Sequence, residues 1–121
     1  METYFDVNRQ PKINLLVKGS RKSGILVALL DTGFDGYLSL PITLAISLGL
    51  ELISVTAVQY ADGRIKNELV FSVTVVLNGK EKLVQTTLTD STEALAGTAL
   101  FADYEVKFNF ATQKIKLEKI H

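Results

Sequence analysis

Hydrophobic and polar residues alternate along most of this chain with the period of two that a half-buried β-strand requires. Lys12 to Lys18 is the first such run, closed by the polar turn Gly19-Ser20-Arg21-Lys22-Ser23-Gly24. Glu51 to Tyr60 and Ile65 to Leu77 are longer runs. They meet across Asp62-Gly63, a hairpin signal because this pair accepts the positive φ of a tight turn. Asn78-Gly79 marks a second tight turn before Lys82 to Thr89. Further on, Val106, Phe108 and Phe110 alternate with Lys107 and Asn109, and Ile115 and Leu117 alternate with lysines. Each of these last runs predicts a strand with one buried face. Ile25 to Leu30 is different. It is continuously apolar, which predicts a strand buried on both faces, and it runs straight into Asp31.

Two segments read as helical. Pro41 to Leu48 places proline at the first helical position and stops at Gly49, a natural C-terminal cap. Thr98 to Asp103 is short and follows Gly97. No linker, repeat or low-complexity tract interrupts the chain, so residues 1–121 read as one all-β domain, a closed or folded-over barrel with one or two small helices.

Composition narrows the chemistry. With 47% apolar residues in 121, the chain can build a real core, and its 13 acidic and 13 basic residues cancel. No global field draws it to nucleic acid or anionic lipid. Without cysteine, it has neither a disulfide framework nor a thiolate metal site. The sole histidine is the last residue, His121, so a Ser-His or Cys-His pair and a histidine zinc site are not expected. The start Met-Glu-Thr-Tyr-Phe-Asp shows no basic segment followed by an apolar run, so no signal peptide is expected, and the apolar stretch Ile25 to Leu30 is too short to span a bilayer. A cytoplasmic protein with no metal, cofactor, membrane or nucleic-acid partner is the expectation. Phosphate-loop and dinucleotide motifs fail because no Gly-rich loop of the required spacing opens a helix.

The candidate chemistry sits at Asp31-Thr32-Gly33. Placed after an apolar strand, a carboxylate is held by the core yet can face a cleft. As a bare tripeptide it is weak: this composition would produce it by chance roughly once in thirty such chains. Aspartate, threonine and glycine also make plain turns. The surroundings add weight. Ala28-Leu29-Leu30-Asp31-Thr32-Gly33-Phe34-Asp35-Gly36 resembles the active-site segment of retropepsin-like aspartic proteases, in which apolar residues precede Asp-Thr-Gly. Leu95-Ala96-Gly97, followed by Thr98-Ala99-Leu100-Phe101 and the run Glu105 to Phe110, resembles that family's later apolar-Gly-helix-strand feature. Asp62-Gly63 lies where the family has its flap. Leu38-Ser39-Leu40-Pro41, continuing to Leu48-Gly49-Leu50, resembles a small prokaryotic branch of the clan. The resemblance spans roughly Lys12 to Phe110. Ala96 is smaller than the usual family residue there, and Thr98-Ala99 departs from the usual pair.

The resemblance implies a retropepsin-like barrel that acts as an aspartic endopeptidase on peptides or proteins. Such chemistry needs two carboxylates around one water, sharing a proton. This chain has no second Asp-Thr-Gly or Asp-Ser-Gly: Asp90-Ser91-Thr92 lacks the glycine, and Asp62-Gly63 lacks the hydroxyl residue. The second carboxylate is therefore expected from another copy, Asp31 meeting Asp31 across a two-fold axis. Thr32 would then lock the two loops together, and Gly33 would let its amide approach carboxylates and substrate. Asp35 would hold substrate backbone. Tyr60, Ala61, Asp62 and Gly63 would belong to a flap that closes over the peptide. Tyr4-Phe5 and Ile115 to Ile120 are candidates for an intersubunit sheet or, equally simply, an edge hairpin on their own core. Two other readings remain. One is a catalytically inactive peptide-binding or dimerisation module of the same fold. The other is a cation site on Asp31 and Asp35, which lacks the several oxygen ligands a hard cation wants.

Overall fold

The computed structural model describes residues 2–120. Ten strands and one α-helix follow in chain order: β1 (Glu2–Phe5), β2 (Pro11–Lys18), β3 (Ser23–Leu30), β4 (Leu38–Pro41), α1 (Ile42–Leu48), β5 (Glu51–Gln59), β6 (Ile65–Leu77), β7 (Lys80–Thr89), β8 (Ala94–Ala96), β9 (Tyr104–Asn109) and β10 (Lys114–Lys119). The long alternating runs of the sequence become β2, β5, β6, β7, β9 and β10.

Strands β2, β3, β8, β4, β7 and β6 lie side by side in that order, and β6 returns to β2. The return is a short antiparallel seam, Leu16 opposite Val76, Val17 opposite Val75 and Lys18 opposite Thr74. It closes a six-stranded barrel of the retropepsin-like kind. Alternation then sends one face of each strand inward. Ile13, Leu15 and Val17 from β2 meet Leu26, Ala28 and Leu30 from β3 and Val73, Val75 and Leu77 from β6, all buried. Thr86 is the polar exception on that inner face, and its hydroxyl donates to the Leu38 carbonyl at 3.1 Å. β1 and β5 continue the sheet past the barrel as outer strands.

A sheet that closes on itself has one inside, and this corrects the reading of Ile25 to Leu30. Only Leu26, Ala28 and Leu30 enter the core, while Ile25 is 74% and Val27 47% exposed. No helical layer covers the outer face of β3, so its apolar run is not a strand buried on both faces.

The helical segments are shorter than expected. Pro41 has extended backbone (φ −56, ψ 139) and caps α1 instead of starting it. It belongs to β4, where it pairs with Thr89 of β7. Gly49 ends α1 in the left-handed region, φ 72, its amide donating to the carbonyls of Ala45 and Ile46. The later segment is one 3-10 turn, Thr98–Phe101, because Leu100 and Phe101 plunge into the core and the chain turns at once into β9.

β9 and β10 form a separate two-stranded sheet whose Val106, Phe108, Ile115 and Leu117 pack on the barrel core. The chain ends thus find partners within one copy. Tyr4 and Phe5 lie in β1, paired with β2, and Thr3 donates its hydroxyl to the Ile115 carbonyl at 3.3 Å. The rings of Phe5 and Phe110 meet edge-on, 5.4 Å between centroids. His121 lies outside the described residues. Among the described residues no helix is long and apolar enough to cross a membrane.

Candidate active site

Asp31 is the first residue past β3, and its amide donates to the Ala96 carbonyl at 3.0 Å, extending the parallel β3–β8 ladder by one step. The chain then turns sharply. The Phe34 amide donates back to the Asp31 carbonyl at 3.2 Å, and the Gly33 amide donates to the Asp31 side chain, Oδ1, at 2.9 Å. One carboxylate oxygen is thereby fixed by the backbone of its own motif. The other, Oδ2, receives no hydrogen bond from the described residues. Asp31 is half-buried, whereas Thr32, Gly33 and Asp35 are exposed around it.

The loop from Asp31 to Tyr37 is stitched to the segment after β8. Gly97 donates its amide to the Tyr37 carbonyl (2.9 Å), Thr98 to Phe34 (2.9 Å) and Ala99 to Gly36 (3.2 Å). Two glycines make this approach feasible. A Cβ on Gly97 would stand 2.2 Å from the Gly36 carbonyl oxygen and 2.7 Å from that of Phe34. A Cβ on Gly36 would stand 2.6 Å from the Phe34 ring. Gly36, Phe34 and Gly97 are therefore supports of the loop that sequence reasoning did not single out as site residues. Gly97 was visible only as part of the Leu95-Ala96-Gly97 pattern.

Beneath the loop is a mostly apolar cavity of about 250 Å³ with Asp31 and Thr32 at its mouth and Phe101, Val106 and Phe108 in its walls. On the outer face, Leu29 and Leu95 stand opposite each other in the β3–β8 ladder, both half-buried, one step from Asp31.

Tyr60, Ala61, Asp62 and Gly63 occupy the tip of the β5–β6 hairpin. The turn is held by Gly63 donating to Tyr60 (2.9 Å), Tyr60 donating to Arg64 (2.9 Å) and an Arg64–Asp62 ion pair of 2.6 Å. Gly63 has φ +87, so glycine is needed there for its backbone. Near the tip β6 extends past the barrel with β5 beside it, and both are exposed on both faces, Val55, Ile65 and Leu69 included. Among the described residues, no hydrogen bond or ion pair joins the tip to the Asp31 loop. The structure thus gathers Asp31, Thr32, Gly33 and Asp35 in one loop and keeps the four tip residues apart from them. Asp31 and Asp35 belong to no group of three metal-ligating side chains among the described residues.

No protein-family model matches this sequence, and no curated protein matches it. Among solved structures, EIAV protease in complex with the inhibitor HBY-793 is similar in fold, with a TM-score of 0.58. The two are 18% identical, and the match covers 82% of this chain and 91% of that one. At that identity the likeness concerns the fold.

Proposed function

We propose that this chain, as a single retropepsin-like domain over residues 1–121, is one half of a homodimeric aspartic endopeptidase of the small prokaryotic kind, working in the cytoplasm. The observation that carries the reading is the loop at the end of β3. Asp31 has one oxygen held by Gly33 and the other without a hydrogen bond from the described residues, at the end of a strand in a barrel whose fold is like that of a protease complexed with an inhibitor. A two-fold axis at this loop brings Asp31 to Asp31 of a second copy. Like charges so close share a proton and titrate as a pair.

The ionised carboxylate takes a proton from a water held between the two. The water oxygen bonds to the scissile carbonyl carbon, while the protonated carboxyl gives its proton to the carbonyl oxygen. The newly protonated carboxyl then gives its proton to the amide nitrogen while the other carboxylate takes one from a diol hydroxyl; the C–N bond breaks, an acid and an amine leave, and the dyad is restored. Thr32 braces the two loops across the axis. Asp35 accepts from substrate backbone, and Tyr60 to Gly63 close over the peptide and exclude water. Exposed apolar residues on both faces of the β5–β6 hairpin suit that covering task.

Incubation with a peptide library from acidic to neutral pH is the test. Wild type cleaves and is blocked by a statine-type inhibitor, and Asp31→Asn loses at least about a thousandfold in turnover. A folded dimer that cleaves nothing across that range would overturn the reading in favour of a peptide-binding module.

A further inference from the structure

An open groove of about 630 Å³ lies on the outer face of the barrel, at the opposite end of β3 from Asp31. Its floor is Ile25 and Val27, and its walls are Ile42 at the start of α1 and the β7–β8 loop with Asp90. The floor of the groove is apolar where a barrel's outer face is ordinarily polar, while Thr43, Thr89, Ser91 and Thr92 bring hydroxyls to its walls. The outer face of β9 and β10 illustrates the ordinary case, carrying Glu105, Lys107, Lys114 and Lys116. Asp90 is exposed and enters no ion pair among the described residues, so an unneutralised carboxylate stands at the rim of an apolar floor.

Strand geometry connects this groove to the candidate site. Residues 25, 27 and 29 alternate with buried Leu26, Ala28 and Leu30, so they share one face, and Asp31 is next in the alternation. Leu95, beside Leu29, widens the apolar path at its inner end. Six residues at a strand rise of ~3.3 Å put Ile25 about 20 Å from Asp31. An extended polypeptide covers that distance in about six residues.

From this we infer that the groove binds a distal segment of the polypeptide substrate, an apolar side chain over Ile25 and Val27 followed by a lysine or arginine facing Asp90. The inference rests on the endopeptidase reading and adds a substrate class to it: extended chains with an apolar-basic pair about six residues from the cleaved bond. A two-fold dimer presents one groove per copy, so either end of the substrate meets one.

The test uses two fluorogenic peptides with a common cleaved core taken from the library, one extended by a leucine-lysine pair at the sixth residue. Wild type is expected to favour the extended peptide by roughly tenfold in kcat/KM. Ile25→Glu brings that ratio towards one. Asp90→Lys lowers it for the leucine-lysine peptide and restores it for a leucine-glutamate peptide. Ile25 is largely exposed, so its substitution leaves the core intact. Equal cleavage of both peptides by wild type, or a preference that survives Ile25→Glu, overturns the groove and leaves the protease standing. A change of oligomeric mass in Ile25→Glu also overturns it, assigning the face to self-association. Binding of the labelled extended peptide to Asp31→Asn separates the two claims. If wild type cleaves nothing in the library, yet Asp31→Asn binds a labelled library peptide carrying the leucine-lysine pair and the additional Ile25→Glu change abolishes that binding, the catalytic reading fails and the groove stands.

Discussion

Gly97 has ordinary extended backbone, φ −96 and ψ 176, so its conformation does not call for glycine. Its surroundings do. The carbonyls of Gly36 and Phe34 occupy the volume a methyl group would need, and both are backbone, unable to swing aside like a flexible side chain. Gly97→Ala is therefore expected to cost about 1–3 kcal/mol, the usual range for overpacking, measured by urea unfolding. Because the displaced backbone belongs to the Asp31 loop, turnover should fall by more than the stability loss alone implies. Wild-type stability and turnover in the Gly97→Ala variant would show that the loop does not depend on this close approach. Asp31 and Gly97 thus have opposite requirements: one needs its side chain, the other needs to have none.

Among the elements, the outer part of the β5–β6 hairpin, Ser54 to Leu69, is set apart because it contributes no buried residue to the core. Gly63→Val places a β-branched residue at φ +87, which strains the tip, yet the tip packs on nothing that holds the barrel. The expected result is a nearly unchanged melting temperature with kcat/KM down about tenfold or more, since the covering geometry is lost. A variant with unaltered kinetics would remove the hairpin from the reaction. The same contrast between local and remote contacts explains what the sequence made legible. β2, β5, β6 and β7 are long enough for alternation to declare them, and Asp62-Gly63 declares its own turn. β1, β4 and β8 span only three or four residues, too few for a period to register, and β4 and β8 pair with strands distant in the chain. Ile25 and Val27 misled because apolar composition does not say whether a second layer will cover the strand. Asp31-Thr32-Gly33 was readable because its residues are contiguous. The stitching of Phe34, Gly36 and Tyr37 to Gly97, Thr98 and Ala99 was not, because it joins two segments far apart in sequence.

At the scale of the whole molecule, the proposed chemistry requires two copies. Specific activity should rise with protein concentration and level off as sedimentation shows the mass reaching twice that of one chain. Dilution should remove activity while the far-ultraviolet spectrum persists, because each barrel closes without help from a partner. Concentration-independent activity from a protein of monomeric mass would sink the two-copy site. The bond between Asp31 and Ala96 also has a bearing on time. Ribosomes deliver chains from the N-terminus, so Asp31 emerges before its supports at Ala96 to Ala99. Until Ala96 to Ala99 have emerged, the loop lacks these hydrogen bonds and the carboxylate is not held in this pose. A nascent chain stalled between Asp31 and Ala96 would carry the motif without the geometry that the proposed chemistry needs.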